Sequence, residues 1–376
     1  MMNMEYSDDQ LMMQETSRKF FEREVSPQLV KELQEPEHSG HSSSLWEKMA
    51  NIGWLGVHIP EKYNGAGGTL VDLGILFEEA GRVLVPTTLY STIYASLLID
   101  ALGTHEQKKT YLSRIAAGKM ISGVAYAEKE ALHNPDCFKT VARKVKDKWI
   151  LTGEKMFVQN AHLADELIVI ARSENDDGKE GLTAFLVPNQ AEGVSMKEQK
   201  TFGKDRQSVV KFTDVELDIT HVLGNRTEEA EEGLAVAMNQ ATALQCLEMV
   251  GGARKVIDMT VKYVSERHQF GVPIGSFQAV QHHLANMATA VDGSRLLAYQ
   301  AVSLLSEGLA AEDEVAMAKA YAGEAYKSVT VMAHQLWGGM GYVTESDLYL
   351  WSNRAKATEL SFGTRDLHLK KLANNL

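Results

Sequence analysis

The chain is 376 residues long, with 44% hydrophobic residues, 23% charged residues and a net charge of −12. That length exceeds one simple core and predicts roughly two or three modules, while the acidic balance excludes the basic face a nucleic-acid binder needs. Two cysteines, Cys137 and Cys246, make no disulfide framework, no apolar run is long enough to span a bilayer, and the start Met1-Met2-Asn3-Met4-Glu5-Tyr6 lacks signal-peptide features, so a cytoplasmic protein without membrane insertion is expected.

Residues 1–119 read as a helical domain. Ser7-Asp8-Asp9 puts a cap and negative charge at a helix start, where unpaired N–H groups and the dipole favour both. Leu11, Met12, Phe20, Phe21 and Val25 then form an apolar stripe that Pro27 ends or kinks. Ser44 is the expected cap of the next helix, with Trp46, Met49 and Ile52 inward. The glycine-rich loop over 60–68 reads as a turn, because Gly67 and Gly68 do not match a dinucleotide fingerprint. Helical patterns follow over 70–83, 89–102 and 105–117.

From Ile121 the texture changes to short apolar runs bounded by turn residues, which predicts a small antiparallel β-domain over residues 120–227. Val141–Val145, a polar turn at 146–148, and 149–151 read as one hairpin. Residues 167–171 and 182–187, around the polar loop 174–181, read as a second, and 209–212 and 214–217 as further strands. Helical periodicity returns in residues 228–376, over 229–267, 278–305, 313–336 and 347–357, and four long helices with short connections predict a bundle. The fold class is therefore α+β, with an N-terminal helical domain, a middle β-domain and a C-terminal four-helix bundle.

The most informative stretch is Glu266-Arg267-His268-Gln269-Phe270-Gly271-Val272-Pro273-Ile274-Gly275-Ser276-Phe277-Gln278. An Arg ending one helix and a Phe-Gly turn before the next bring a fixed cation and an aromatic edge to one place, and the planar guanidinium fork suits a pyrophosphate. With Gln335-Leu336-Trp337-Gly338-Gly339-Met340-Gly341-Tyr342 downstream, this stretch resembles the flavin-binding segments of the acyl-CoA dehydrogenase family, and the helix–sheet–helix order resembles that family throughout. The resemblance implies non-covalent FAD, with Arg267 meeting the pyrophosphate, Phe270 beside it and Gln278 opening the next helix. It implies that Gln335, Gly338 and Gly339 approach the cofactor from a neighbouring subunit, and that Thr364 matches the family Thr near the C-terminus. Glycines there let backbone N–H groups reach a phosphate or ribose.

The β-domain departs from the family pattern. Where the family reads Thr-Glu-Pro-Gly-x-Gly-Ser-Asp, this chain has Ala127-Glu128-Lys129-Glu130-Ala131-Leu132-His133-Asn134, a register supported by Thr140 and Ala142. Ala127 thus stands near the flavin in place of a hydroxyl, and small groups near the CoA phosphates are lost. The family's Trp-Ile-Thr-Asn is here Phe157-Val158-Gln159-Asn160. Phe157 can cover the flavin face, and Gln159 can donate and accept.

The family chemistry takes a proton from C2 of an acyl thioester as hydride leaves C3 for the flavin, which needs a carboxylate beside C2 in a dry pocket. Most members carry that Glu just before the C-terminal Gly-Thr, where this chain has Phe362; a minority carry it early in the first bundle helix, near Ala241. Glu248, in Leu247-Glu248-Met249-Val250-Gly251-Gly252-Ala253, is the acid among apolar neighbours on that helix, two turns on, and is the candidate base. The competing expectation is a core or interface ion pair with Arg254 or Arg295; Glu359 is a second candidate. The Glu248 segment, with Leu84-Val85-Pro86, Phe157–Ala161 and Arg354-Ala355-Lys356-Ala357, resembles a subgroup acting on dicarboxylic, branched or sterol side-chain CoA esters.

The leading expectation is an enzyme that dehydrogenates an acyl-CoA and passes electrons to an electron-transfer flavoprotein. The alternatives are a non-catalytic or half-catalytic subunit of a hetero-oligomer, or a flavoprotein of this fold with different CoA-thioester chemistry. Shared cofactor contacts imply a homotetramer or a mixed tetramer with a related chain, with Trp337 and Met340 at the interface. Given the net charge, CoA requires a local cluster of basic residues, and no metal is expected.

Overall fold

The computed structural model describes residues 6–130, 134–174, 180–224 and 228–374. These divide into two compact units, one made of residues 1–30, 69–85 and 242–376, the other of 31–68 and 86–241. The helices of the first 119 residues are thus shared between the two units.

The first unit is helical. It holds α1 (Asp8–Glu24) and α4 (Leu70–Arg82), then α7 (Glu228–Glu266) from Thr242 onward, α8 (Gln278–Ser306), α9 (Glu312–Trp337), α10 (Leu348–Leu360) and α11 (Arg365–Asn374). Ser7 caps α1 in a reciprocal box with Gln10, as the Ser7-Asp8-Asp9 start predicts. Phe20 and Phe21 are buried, whereas Leu11 and Met12 are exposed. Pro27 opens α2 (Pro27–Gln34) at its first position, where its missing N–H costs nothing. The α4–α7 crossing is set by glycine. A Cβ on Gly81 would collide with the Glu248 carbonyl, and one on Gly251 with the Glu78 carbonyl. Two backbones approach there as no other residue pair permits.

Carboxylates buried on α4 are matched by cations from the same unit. Glu79 takes both Nε (2.9 Å) and Nη2 (2.7 Å) of Arg18. Glu78 accepts from Tyr299 Oη at 2.8 Å and faces Arg295 Nε at 3.3 Å. Burial, with Glu78 adding to it, pushes the Tyr6 hydroxyl up to about 12 beside that cluster.

The second unit contains α3 (Ser43–Ile52), α5 (Thr88–Leu102), α6 (His105–Ala116) and a seven-stranded sheet. Ser42, not Ser44, caps α3, and Ile52 is 49% exposed, so the inward face of that helix is Leu45, Trp46 and Met49. Helix α5 is buried all round, as a central helix must be. The strands are β1 (Ser122–Ala125), β2 (Val141–Val145), β3 (Lys148–Gln159), β4 (Glu166–Glu174), β5 (Glu180–Pro188), β6 (Val194–Gln199) and β7 (Gln207–Asp218). Their order is β1-β4-β2-β3-β7-β6, with β5 also on β4.

Four pairings are antiparallel as expected, but β1 and β2 each lie parallel to β4. Residues 209–212 and 214–217 form one strand rather than two, because Asp214 at φ 49° bends β7 without ending it. Trp149, Phe185, Phe212, Leu151 and Val210 centre the core of this sheet. The hairpin turn at 175–179 and residues Ala131, Leu132 and His133 of the altered loop lie outside the described residues.

Candidate active site

In the helical unit the Arg267 motif is a small hairpin. Strands β8 (His268–Gln269) and β9 (Val272–Pro273) pair, and Phe270 (φ 58°) with Gly271 (φ 81°) makes the two-residue turn between them. Positive φ at both positions matches the twist of a tight hairpin, and glycine supplies the second at no steric cost. Phe270 is 93% exposed and meets Phe277 edge-on at 6.2 Å. Arg267 is exposed, its carbonyl holds the Ile274 N–H at 2.8 Å, and Gln278, also exposed, opens α8.

The second glycine segment lies beside this turn in the same unit. Trp337 stacks on Tyr263, one helical turn before Arg267, with ring centroids 4.4 Å apart and planes at 10°. The Trp337 indole N–H reaches Thr260 Oγ1 at 3.2 Å, and its carbonyl accepts from Tyr263 Oη at 3.3 Å. Trp337 is therefore a fastener within the chain, while Met340 and Tyr342 remain 46% and 79% exposed. Gln335, Gly338 and Gly339 are exposed, and a Cβ on either glycine would meet nothing within 4 Å. A guanidinium, an aromatic edge and two bare backbone positions thus share one surface. These donors fit the pyrophosphate, ribose and ring of a dinucleotide. The Tyr263–Trp337 pairing has a sequence signal only in hindsight, an aromatic one turn before each motif.

In the β-sheet unit, pairing between β3 and β7 shifts register between Lys155 and Val158. Phe157 sits in that bulge at φ 56°, 46% exposed, with its N–H on Gln199 Oε1 at 3.0 Å. A bulge re-aims a side chain out of the ladder, and here it presents a ring to the outside. Gln159 is half-buried and Ala127 buried, and the Ala127 carbonyl accepts from the Met156 N–H at 2.8 Å.

Behind them lies a buried pair that the sequence reading left unused. Lys155 Nζ meets Glu128 Oε1 at 2.8 Å and the Tyr126 carbonyl at 2.9 Å, over the Phe138 ring at 3.7 Å. Glu128 also accepts the N–H groups of Lys139 (2.6 Å) and Thr140 (3.1 Å). Burial lowers the Lys155 ammonium to about 8 despite its partner. Burial works to raise Glu128, but its hydrogen bonds and Lys155 outweigh it and hold the carboxyl low. An inward-facing lysine in a strand is the signal that could have found this pair. Arg143, Lys144, Lys146 and Lys148 stand exposed about the β2–β3 turn, where Lys148 pairs with Glu216.

The acids differ from what a free base requires. Glu248 is 4% exposed and its Oε1 lies 2.9 Å from Arg354 Nη1. The partner is neither Arg254, which pairs with Asp292, nor Arg295, which pairs with Glu78. Glu359 is held by Lys356 at 2.7 Å and Lys327 at 3.2 Å; burial raises its carboxyl, but the two ammoniums outweigh that and keep it low. Ala241 is buried, Phe362 half-buried at φ 55°, and Thr364 exposed at the start of α11.

Family models for acyl-CoA dehydrogenase match almost the whole chain, the N-terminal domain over residues 7–119, the middle domain over 123–215 and the C-terminal domain over 231–376. The chain belongs to the acyl-CoA dehydrogenase family. It is 30% identical to the short/branched chain specific acyl-CoA dehydrogenase of Bos taurus, covering 98% of this chain and 85% of that one. It is 32% identical to subunit CarC of the caffeyl-CoA reductase-Etf complex of Acetobacterium woodii, over 91% of each. Among solved structures, a glutaryl-coenzyme A dehydrogenase in complex with glutaryl-CoA superposes with a TM-score of 0.92 at 27% identity, covering 99% of this chain and 96% of that one. Members of this family are FAD flavoproteins, and the exposed guanidinium, aromatic and glycine positions fit that cofactor. No helix among the described residues is long and apolar enough to cross a membrane.

Proposed function

We propose that this chain is an FAD-dependent acyl-CoA dehydrogenase that hands its electrons to an electron-transfer flavoprotein and works as a tetramer. The observation that carries the reading is the shared surface of Arg267, Phe270, Gly338 and Gly339, pinned together by the Tyr263–Trp337 stack. In this reading this surface meets the FAD of a neighbouring subunit, with Arg267 holding the pyrophosphate by a charge-assisted fork and Gln278, Gln335, Gly338 and Gly339 taking the ribose and adenine end. Phe157, Gln159 and Ala127 face the flavin ring, and Thr364 closes the site near the C-terminus. Bound FAD supplies the acceptor for hydride leaving C3 of the thioester. The printed association of a relative with an Etf complex supports the electron-transfer partner. We take the modules 1–119, 120–227 and 228–376 as the functional division. Dicarboxylic, branched and sterol side-chain acyl groups remain the proposed substrate classes. Purified protein should be yellow and should bleach with one acyl-CoA of a chain-length and branching panel; a colourless protein indifferent to added FAD would refute the reading.

A second reading is favoured by the acids. Glu248 is neutralised by Arg354, Glu359 by two lysines, and the two family base positions hold Phe362 and Ala241. A carboxylate already paired with a cation is a weak base. In the second reading the C2 proton goes to a carboxylate of a related chain in a mixed tetramer, and Glu248 serves the fold. Flavin-loaded protein that no acyl-CoA reduces until a related chain is co-expressed would favour it.

A further inference from the structure

Helix α9 buries a cation that the cofactor surface does not use. Lys319 is 1% exposed, and its Nζ donates to three main-chain carbonyls, those of Thr358 and Glu359 at 3.0 Å and Gly363 at 3.2 Å. Two of these acceptors belong to the last turn of α10 and the third to the turn that follows. The final carbonyls of a helix have no partner within it and carry the negative end of its dipole, so an ammonium there satisfies both. The same turn is captured from its other side, where His368, 3% exposed, places Nε2 3.0 Å from the Phe362 carbonyl.

Two of the residues between these anchors are in the left-handed region, Phe362 at φ 55° and Gly363 at φ 101°. Glycine occupies it freely, but phenylalanine does so only where the surroundings over-determine the backbone. Four carbonyls held by two buried side chains are such surroundings. The charged and titratable groups facing Lys319 are few. Cys246 approaches from α7, its thiol pushed by burial up to about 12 and so neutral, and the carboxylate of Glu359 is engaged by Lys327 and Lys356. Lys319 is thus committed to backbone carbonyls.

We propose that Lys319 is a positioning residue, whose ammonium together with His368 locks the 361–364 turn in the one conformation that presents Phe362 and Thr364 to cofactor and thioester. This rests on the FAD-dependent reading above. Burial lowers the Lys319 pKa to about 8, below that of a solvated ammonium, so the buried arrangement gains on the opened one as pH rises past 8.

The test compares wild-type protein with Lys319→Met, which keeps the stem and removes the charge. Hydrogen exchange, which needs no flavin, should show amides 361–368 losing protection by about tenfold or more while those of β4 are unchanged. Flavin titration should show weaker binding by about tenfold, and flavin reduction by a good acyl-CoA should slow by about 10²-fold with little change in substrate affinity, as expected for misplacement by about 1 Å. If Lys319→Met does not fold, the wild type still decides: when opening of the turn returns Lys319 to solvent, protection of 361–368, corrected for intrinsic exchange, should rise between about pH 8 and 10.5 while other helices hold. Unchanged loop protection with unchanged flavin affinity in the variant, or a pH-independent loop in the wild type, overturns the proposal. A wild type that takes up no flavin refutes the functional reading instead, and loop exchange then still decides whether Lys319 anchors the turn.

Discussion

Replacing Glu248 by Gln separates a structural carboxylate from a catalytic one. The side chains of Glu248 and Arg354 are 4% and 14% exposed, and they meet at 2.9 Å. The amide is nearly isosteric, so the packing survives, but the negative charge that faces the Arg354 guanidinium at 2.9 Å is gone. Removing one partner of a buried pair costs about 3–5 kcal/mol, and the retained hydrogen bond argues for the lower end. With roughly 2.1 cal/mol/K of unfolding entropy per residue over this chain, about 3 kcal/mol lowers the melting temperature by about 4 °C. Replacing Arg354 by Met in the same molecule removes that desolvated cation and should recover most of the loss. Recovery stops short by about 1 kcal/mol, because Arg354 Nη2 also reaches the Val85 carbonyl at 3.4 Å. Scanning calorimetry of wild type, single and double variants gives the cycle, and stopped-flow reduction of the flavin gives the chemistry. A Glu248→Gln protein that melts with the wild type but reduces at least 10²-fold more slowly would refute this reasoning and make Glu248 the base.

Arg267→Ala should weaken flavin binding by about 1.5–3 kcal/mol, measured by titrating apoprotein and following flavin fluorescence, with little change in far-ultraviolet circular dichroism. Gly251→Ala drives a methyl into the Glu78 carbonyl and should destabilise the helical unit by about 3 kcal/mol in denaturant unfolding, whereas Gly339→Ala, whose Cβ meets open space, should cost far less without flavin. Alkaline pH gives a signed test of Lys155, whose pKa is lowered by burial to about 8. Between about pH 8 and 10.5 the unfolded chain holds a proton that the folded chain has released, so this group makes stability rise with pH. That rise should disappear from the pH dependence of denaturant midpoints in Lys155→Met.

Helix positions and the Phe270-Gly271 turn were legible because local rules decide them. Capping at Ser7, the periodicity of α7 to α10 and the Phe270-Gly271 turn all follow from a few consecutive residues. The two parallel pairings with β4 were not legible, since alternation reports a strand's faces but not its neighbour's direction. The cap of α3 moved to Ser42 because three serines in a row offer the same hydroxyl, and only the backbone geometry selects one. The partner of Glu248 was illegible for a different reason. An acid among apolar residues announces a partner or a function, but the partner, Arg354, lies on α10, more than a hundred residues on, where one-dimensional spacing carries no information.

The strained positions connect these observations. Among the described residues four bulky apolar ones occupy the left-handed region, Leu84 at φ 59°, Phe157 at φ 56°, Phe270 at φ 58° and Phe362 at φ 55°, each at a cost of about 1–3 kcal/mol, and Phe270 does so in the two-residue hairpin turn. Beside the other three a cation holds a carbonyl: Arg354 takes Val85, Lys155 takes Tyr126, whose neighbour Ala127 accepts from the Met156 N–H next to Phe157, and Lys319 takes Gly363. Glycine would adopt the same dihedrals without strain, but it would adopt others equally well and would carry no ring. A bulky residue confined by a cation gives one backbone path and one side-chain direction together. Each cation loses solvation on burial, which is why Lys155 and Lys319 are both driven down to about 8, and main-chain carbonyls offset only part of that loss. The arrangement makes sense where a side chain must be aimed rather than merely packed. Two of these residues, Phe157 and Phe362, stand at positions proposed above to face flavin and substrate.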